Sequence, residues 1–383
     1  MRLPLNIVVI GLSITSAWGN CHASAYRALI KGLGRDGHKV IFLEWDAPWH
    51  RMHRDMPCPE FCEVGIYDSL GTLQGKYGKT ICDADVVIIG SYTYEGIQVG
   101  RWVLENASGL KVFYDIDTPI TLVRLRNGGC GYLSADLIPH YDMYLSATGG
   151  PELEKFRVAY GAKRIYSLYC SVDPDLYYPE TRDRNYALAY LGNYSPDRQT
   201  TLERYLVDSA RRYPDRNFAV AGANYPAGVQ WPGNVDYMEY LSPKRHREFY
   251  AKQQFALNIT RPDSVAWGYT PSIRLFEAAA CGIPVISDYW VGLETFFKPG
   301  VEIMTVQSTI EIIEILDKYT FEECYTIGEM ARRRVMENHT CDKRARELVG
   351  VLVHVMESRD KNTVLRSQTA GIYGGHSIAI NSM

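Results

Sequence analysis

Short runs of apolar residues alternate along this chain with longer segments in which apolar positions recur every three or four residues. The first run, Asn6–Gly11, precedes a helical pattern over Ala23–Leu33, where Tyr26, Leu29, Ile30 and Leu33 share one face and Gly34 ends it. A second run, Lys39–Glu44, follows at once, and others lie at Val86–Gly90, Lys111–Asp117, Met143–Thr148 and Ile165–Val172. Helical patterns such as Gly96–Glu105 and Pro151–Tyr160 separate them. The runs are continuous rather than alternating, as strands buried on both faces of a parallel sheet require. Asp173–Pro179, rich in proline and tyrosine, and the polar Glu180–Asn185 read as a linker.

A second series starts beyond it. Strands are predicted at Tyr186–Leu191, Phe218–Ala221, Phe255–Ile259, Pro284–Ser287 and Ile303–Val306. Helices are predicted at Gln199–Tyr213, Pro243–Ala251, Pro271–Ala280, Ile310–Lys318, Phe321–Glu337 and Asp342–Met356. The pattern therefore predicts an α/β protein of two Rossmann-like, doubly wound domains facing across a cleft. Residues 1–178 form the first and 179–345 the second. The end of the last helix and a weakly ordered tail, aperiodic from Arg359, make up 346–383.

Composition narrows the function. A length of 383 residues suits two domains, and 41 basic against 44 acidic residues argue against a dedicated nucleic-acid binder. A local basic groove stays open. Nine scattered cysteines, an odd number, fit reduced thiols in a cytoplasm, and Cys58 and Cys62 lack the two further soft ligands a zinc site needs. No apolar run approaches the roughly 20 residues of a membrane helix. Arg2, the run Leu3–Leu12 and Ala23-Ser24-Ala25 resemble a secretory leader, but cleavage there would remove the first strand of a complete β-α-β unit. A buried strand is the expectation.

Ligands of open α/β sheets bind beyond the carboxyl ends of the strands, so the loops there hold the candidate chemistry. The first, Gly11–Asn20, lacks the dinucleotide glycine fingerprint; its Ser16, Trp18 and Asn20 suit a sugar hydroxyl or an anion, or simply a structural turn. Asp115 and Asp117 flank one residue at a strand end, where they could bind hydroxyls or take a proton; a helix cap is the other reading of Asp117. In the second half Gly192 lets the backbone approach a ligand, and Arg198 offers a fork of donors for phosphate. Thr260-Arg261 follows a strand, and Pro271-Ser272 starts a helix whose amides can hold a pyrophosphate. Arg274 in that first turn calls for an anionic partner, either a ligand or Glu277. The basic clusters Lys244–Arg247 and Arg332–Arg334 read as solvated helix faces.

The segment Gly268–Ser287, with Trp290–Glu294, Leu257–Arg261 and His339–Leu348, resembles the nucleotide-binding half of group-one GT-B glycosyltransferases. Within them it is most similar to the CgeB-like, spore-maturation-type branch, which Phe113–Pro119 and Tyr169–Asp173 also resemble. The resemblance implies a metal-independent enzyme moving a sugar, most simply a hexose, from a nucleotide diphosphate, with UDP favoured. It needs no other cofactor, and its partners are that donor and an acceptor that includes the option of a modified nucleobase. It further implies that Glu277 holds the ribose hydroxyls, that Gly192, Asn193, Arg261, Thr270 and Ser272 surround the donor, and that Arg198 replaces a family lysine on the diphosphate. Asn193 stands where the family has arginine, and Tyr269 where it has the first of two glutamates; both departures bear on donor-sugar contact and stereochemistry. Asp117 falls near the family's catalytic histidine. A non-catalytic nucleotide-sugar-binding protein and a sugar-nucleotide epimerase remain the alternatives.

Overall fold

Ile7–Ile10 is buried on both faces because it lies at the centre of a sheet, which is why the run is apolar without alternation. The structure, a computed structural model, describes residues 4–373. The first domain has strands β1 (Asn6–Gly11), β2 (Lys39–Trp45), β3 (Glu63–Tyr67), β4 (Val86–Gly90), β5 (Leu110–Asp115), β6 (Met143–Ser146) and β7 (Ile165–Ser167). They pair in parallel in the order β3-β2-β1-β4-β5-β6-β7. The second domain has β8 (Tyr186–Leu191), β9 (Asn217–Ala221), β10 (Val235–Met238), β11 (Gln253–Asn258), β12 (Val285–Asp288) and β13 (Met304–Val306), ordered β10-β9-β8-β11-β12-β13. Each sheet reverses its order beside its first strand, and the crevice at that reversal is where such sheets bind ligands.

Several elements escape the hydrophobic pattern. β3 pairs only with β2 at the sheet edge, so its buried positions alternate and no continuous apolar run marks it. The helix Leu70–Asp83 contains Gly71, Gly75 and Gly78, which depress helix propensity; Ser69 caps it by accepting from the Thr72 amide. The fifth strand stops at Asp115, not Asp117, and the seventh at Ser167, not Val172. Residues beyond Ser167 form the crossing between the domains, where the Val172 amide bonds to His339 O and its carbonyl accepts from the Cys341 amide.

The last helix, Cys341–Tyr373, returns to the first domain. Ala345, Leu348, Val349, Leu352 and Val355 share one core with Ile7, Leu29, Ile30 and Leu33. Gly32 permits the crossing, since a Cβ there would lie 2.4 Å from Cys341 O. The expected loose tail is thus helical to Tyr373, and 374–383 lie outside the described residues. Lys31 bonds Asp173 at 2.6 Å and Asp175 at 3.0 Å, tying the first helix, Cys21–Arg35, to the crossing. Among the described residues no helix is long and apolar enough to cross a membrane.

Candidate active site

The carboxyl ends of β8 and β9 meet at Gly192. Its amide donates to Ala221 O, and the Asn193 side-chain oxygen accepts from the Ala223 amide at 3.0 Å. Asn193 therefore braces two loops instead of presenting its oxygen to a donor. Its carbonyl accepts from Arg198 Nη2 at 3.1 Å, which holds that guanidinium over the loop, while Arg198 Nε is buried with no partner. Arg261 comes from the loop after β11 and reaches Ser195 Oγ at 3.1 Å and Asp197 at 3.3 Å.

The helix Ile273–Ala280 is capped by Ser272, whose Oγ accepts from the Arg274 amide. Three residues after Arg274, its buried face presents Glu277, which is fully buried. Glu277 Oε2 accepts from Arg274 Nη1 at 2.5 Å and from the Tyr250 hydroxyl at 3.2 Å, but Oε1 has no partner. Both sequence readings of Arg274 thus meet: Glu277 is its anionic partner, and a lone acceptor remains. Burial works against the Arg274 charge, but Glu277 and the neighbouring tyrosines outweigh it and raise its pKa. His246, expected on a solvated face, is buried instead, because it shares the inward face of its helix with Phe249 and Tyr250. Its Nε2 donates to Leu241 O and its Nδ1 lies within 3.2 Å of both Arg274 and the Tyr177 hydroxyl. Burial and then the Arg274 charge push its pKa well down, so it is a neutral acceptor for that guanidinium.

Facing these residues is the start of the helix Cys21–Arg35 in the first domain. Asp117 accepts from His22 Nε2 at 3.1 Å and makes no side-chain cap bond, which removes the cap reading. Burial pushes the Asp117 carboxyl up, but the hydrogen bond and charge of His22 and the charge of Arg261 bring it below the usual carboxylate range. The sequence pattern did not mark His22, because a lone histidine at a helix start carries no spacing signal. Cys21 is open to solvent on the cleft floor, yet enough protein surrounds it to raise its thiol pKa, against the fields of Arg274, Arg198 and Arg261. The fields of those three cations, two from helix first turns and one from the loop after β11, thus converge on one spot.

Other expected site residues are used by the fold. Asp115 is fully buried and accepts from Tyr144 at 2.6 Å, Thr121 at 2.8 Å and the Asp117 amide at 3.2 Å, so its carboxylate is held in the core and meets the backbone of Asp117, not its side chain. Burial first, and the Asp117 charge less, raise its pKa to about 6. Ser16 is buried and donates to His53 O, and Asn20 caps the helix by accepting from the His22 amide. Trp18 stacks on His53 and lines a separate cleft. The Tyr269 ring is taken up in packing: it lies between Gly150 of the first domain and Gly292 of the second, where Cβ atoms would come within 2.2 and 2.4 Å of it. Its carbonyl accepts from the Gly149 amide, and neighbouring Trp267 donates to Gly149 O, so this segment latches the two domains. Thr270 is half-buried just beyond the latch.

Between the domains a cavity of about 420 Å³ is bounded by Glu277, Tyr177 and Ile273 on one side and by Ser24, Arg27 and Lys31 on the other. A narrow throat lined by Gly19, Asn20, Gly192, Asn193 and Arg274 adjoins the same helix start. A buried carboxylate at the edge of this cavity and Arg274 at the adjoining throat suit a polyhydroxylated anion such as a nucleotide.

Residues 198–350 match the protein family described as glycosyl transferase-like. The architecture as a whole is that of GT-B glycosyltransferases. Sucrose-phosphate synthase from Thermosynechococcus elongatus superposes with a TM-score of 0.67 at 13% identity, over 92% of this chain and 100% of its own. HepE from Anabaena in complex with UDP-glucose gives 0.66 at 16% identity, over 91% and 100%. An alpha-glucosyltransferase in complex with UDP-glucose and DNA containing an abasic site gives 0.70 at 12%, over 91% and 100%. A comparison with curated protein sequences finds no significant match.

Proposed function

We propose that this protein is a glycosyltransferase that transfers a hexose from a UDP-sugar, its donor held by the second domain and its acceptor by the first. The observation that carries the reading is Glu277: a fully buried carboxylate with one oxygen anchored by Arg274 and Tyr250 and the other without a partner at the edge of the interdomain cavity. A ribose 2′,3′-diol supplies the two donors such an oxygen lacks. Arg198, Arg274 and Arg261 then meet the diphosphate, supplying the positive charge that a divalent ion supplies elsewhere; the reaction proposed is metal-independent. UDP is favoured because two of the structural neighbours were solved with UDP-glucose. The resemblance of Gly268–Ser287 makes the CgeB-like branch the family proposed, and nine unpaired cysteines fit a cytoplasmic setting.

In the reaction the bond from the sugar anomeric carbon to the diphosphate oxygen breaks, and the acceptor oxygen bonds to that carbon. Charge grows on the diphosphate, where the guanidiniums stabilise it. Asp117, held below the usual carboxylate range, is a weaker base than the departing phosphate, whose second pKa lies near about 6. Asp117 therefore accepts a hydrogen bond from the acceptor hydroxyl and orients it, and the proton passes to the diphosphate. His22 positions Asp117.

The test mixes purified protein with a panel of UDP-, GDP- and ADP-sugars and assays free nucleoside diphosphate. Release with a UDP-sugar, reduced roughly 10²–10³-fold in Arg198→Met, is expected. Binding without release points to a non-catalytic protein, a second reading that the Tyr269 latch and the engaged Asn193 side chain favour. Interconversion of the sugar itself points to an epimerase.

A further inference from the structure

A second cleft, about 600 Å³, opens on the other side of Gly19 and Asn20 from the throat next to Arg274 and contains neither Glu277 nor the three arginines assigned to the donor. Its walls come from the loops after β1, β2 and β4 and from the helix Thr118–Arg126 of the first domain, with Asn224 of the second on the rim. Gly19 and Asn20 line both this cleft and the throat next to Arg274, so the two spaces share a wall. Tyr92 links them as well: its ring meets His22 edge-on at 5.1 Å, immediately behind Asp117. Whatever sits in the cleft therefore lies beside the reacting end of a bound donor.

The walls are aromatic. Trp49 is 45% exposed despite its size and lies 6.0 Å, ring centre to ring centre, from Tyr94; Trp18, its other face stacked on His53, completes the aromatic lining. Between these rings sit groups that fit hydroxyls. His50 is buried, and its Nδ1 has no partner although the residue lines the cleft. Burial lowers its pKa, so the ring is neutral and serves a hydroxyl at that nitrogen. Glu95 adds an acceptor and Arg124, lying over the Tyr92 ring at 5.0 Å, adds donors. The backbone here is left-handed at three non-glycine positions: Tyr92 has φ 63°, Glu95 φ 49° and Asn224, on the facing rim, φ 70°. Left-handed non-glycine residues cost energy and gather where a surface is shaped for a ligand.

We infer that this cleft binds a saccharide, and that the acceptor of the transferred sugar is the hydroxyl of a carbohydrate stacked on Trp49 and Trp18. This rests on the glycosyltransferase reading above and gives it an acceptor class. The apolar C–H face of a pyranose lies against an indole, while its ring of hydroxyls needs the scattered donors and acceptors found between the rings. A nucleic-acid acceptor does not fit as well: Arg124 is the one cation and Glu95 the one anion among the described lining residues, so no basic track follows a phosphate backbone.

The experiment uses the full chain, in two measurements. Tryptophan fluorescence is titrated with glucose, galactose and N-acetylglucosamine and with their di- and trisaccharides, and UDP release from the turned-over UDP-sugar is assayed with each. At least one saccharide is expected to shift the fluorescence and to accelerate release. Trp49→Ala, an exposed position that does not threaten folding, is expected to raise that saccharide's KM about tenfold while kcat changes less, as loss of one stacking face predicts. If the donor is slowly hydrolysed but no saccharide shifts fluorescence or accelerates release, the inference falls and the glycosyltransferase reading stands. Acceleration by a phenol or by single-stranded DNA instead of a saccharide also overturns it. If no nucleotide sugar is bound or turned over, the glycosyltransferase reading itself fails, and the fluorescence titration alone decides whether the cleft takes saccharides.

Discussion

Replacing Glu277 by Gln isolates the proposed ribose contact with almost no change of shape. The carboxylate is fully buried, Arg274 and Tyr250 hold Oε2, and Oε1 has no protein partner. An amide offers one acceptor where the carboxylate offers two oxygens. With its oxygen toward Arg274, its NH2 takes the Oε1 position and faces the ribose hydroxyls as a donor. The nucleotide then loses charge-assisted hydrogen bonds worth about 1–3 kcal/mol, which raises the UDP dissociation constant roughly 5–150-fold. The protein itself loses less than a dry ion pair would cost. Arg274 is 22% exposed, its side chain also reaches His246, and the amide oxygen still accepts, so about 1–2 kcal/mol of stability is expected to go. Calorimetric titration of UDP and thermal unfolding of both proteins separate the two effects. A Tm that falls while UDP affinity stays within about twofold would refute the assignment and leave Glu277 an anchor for Arg274 alone.

Asp117→Asn is expected to cut turnover about a hundredfold, with UDP binding retained, because it mis-orients the acceptor hydroxyl; an acid limb of the pH–rate profile near pH 5–6 that disappears in the variant would instead make Asp117 a general base whose pKa is raised, against the direction the structure gives. Asp115 tests the electrostatics of burial. Its pKa of about 6 exceeds the unfolded value near about 3.9, so between these values the native state binds the extra proton and stability falls as pH rises, by on the order of 3 kcal/mol at pH 7. Thermal unfolding of Asp115→Asn should therefore gain on the parent between pH 4 and pH 7, and a difference independent of pH would contradict this. Gly150→Ala drives a Cβ to within 2.2 Å of the Tyr269 ring and should lower stability by about 1–3 kcal/mol. A double-mutant cycle with Tyr269→Ala should recover part of that loss, and strictly additive effects would show that no latch exists.

The site shows where residue pattern ends and packing begins. Arg198 and Arg274 could be named because each lies in the first turn of a helix that follows a strand, a position that local pattern marks, whereas the role of Glu277, in mid-helix, came from the family resemblance. Asp115 and Asp117 look equivalent in the sequence, two carboxylates one residue apart. The strand ending at Asp115 turns the first into the core against Tyr144, and the helix start leaves the second facing His22, 95 positions earlier. Tyr269 departs from its family's glutamate, but only the approach of Gly150 from the other domain explains a ring there.

By itself the sequence determined the two parallel sheets, every strand of them except the edge strands β3 and β10, and the loops that bear the chemistry, because strand burial and helix periodicity are local properties of apolar spacing. Tertiary structure decided the rest. The return of the helix Cys341–Tyr373 to the first domain, the His22–Asp117 pair, the buried His246 beneath Arg274 and the aromatic cleft around Trp49 all join residues far apart in the chain. No spacing rule reaches across such separations; what selects those contacts is the burial they achieve once both sheets have formed.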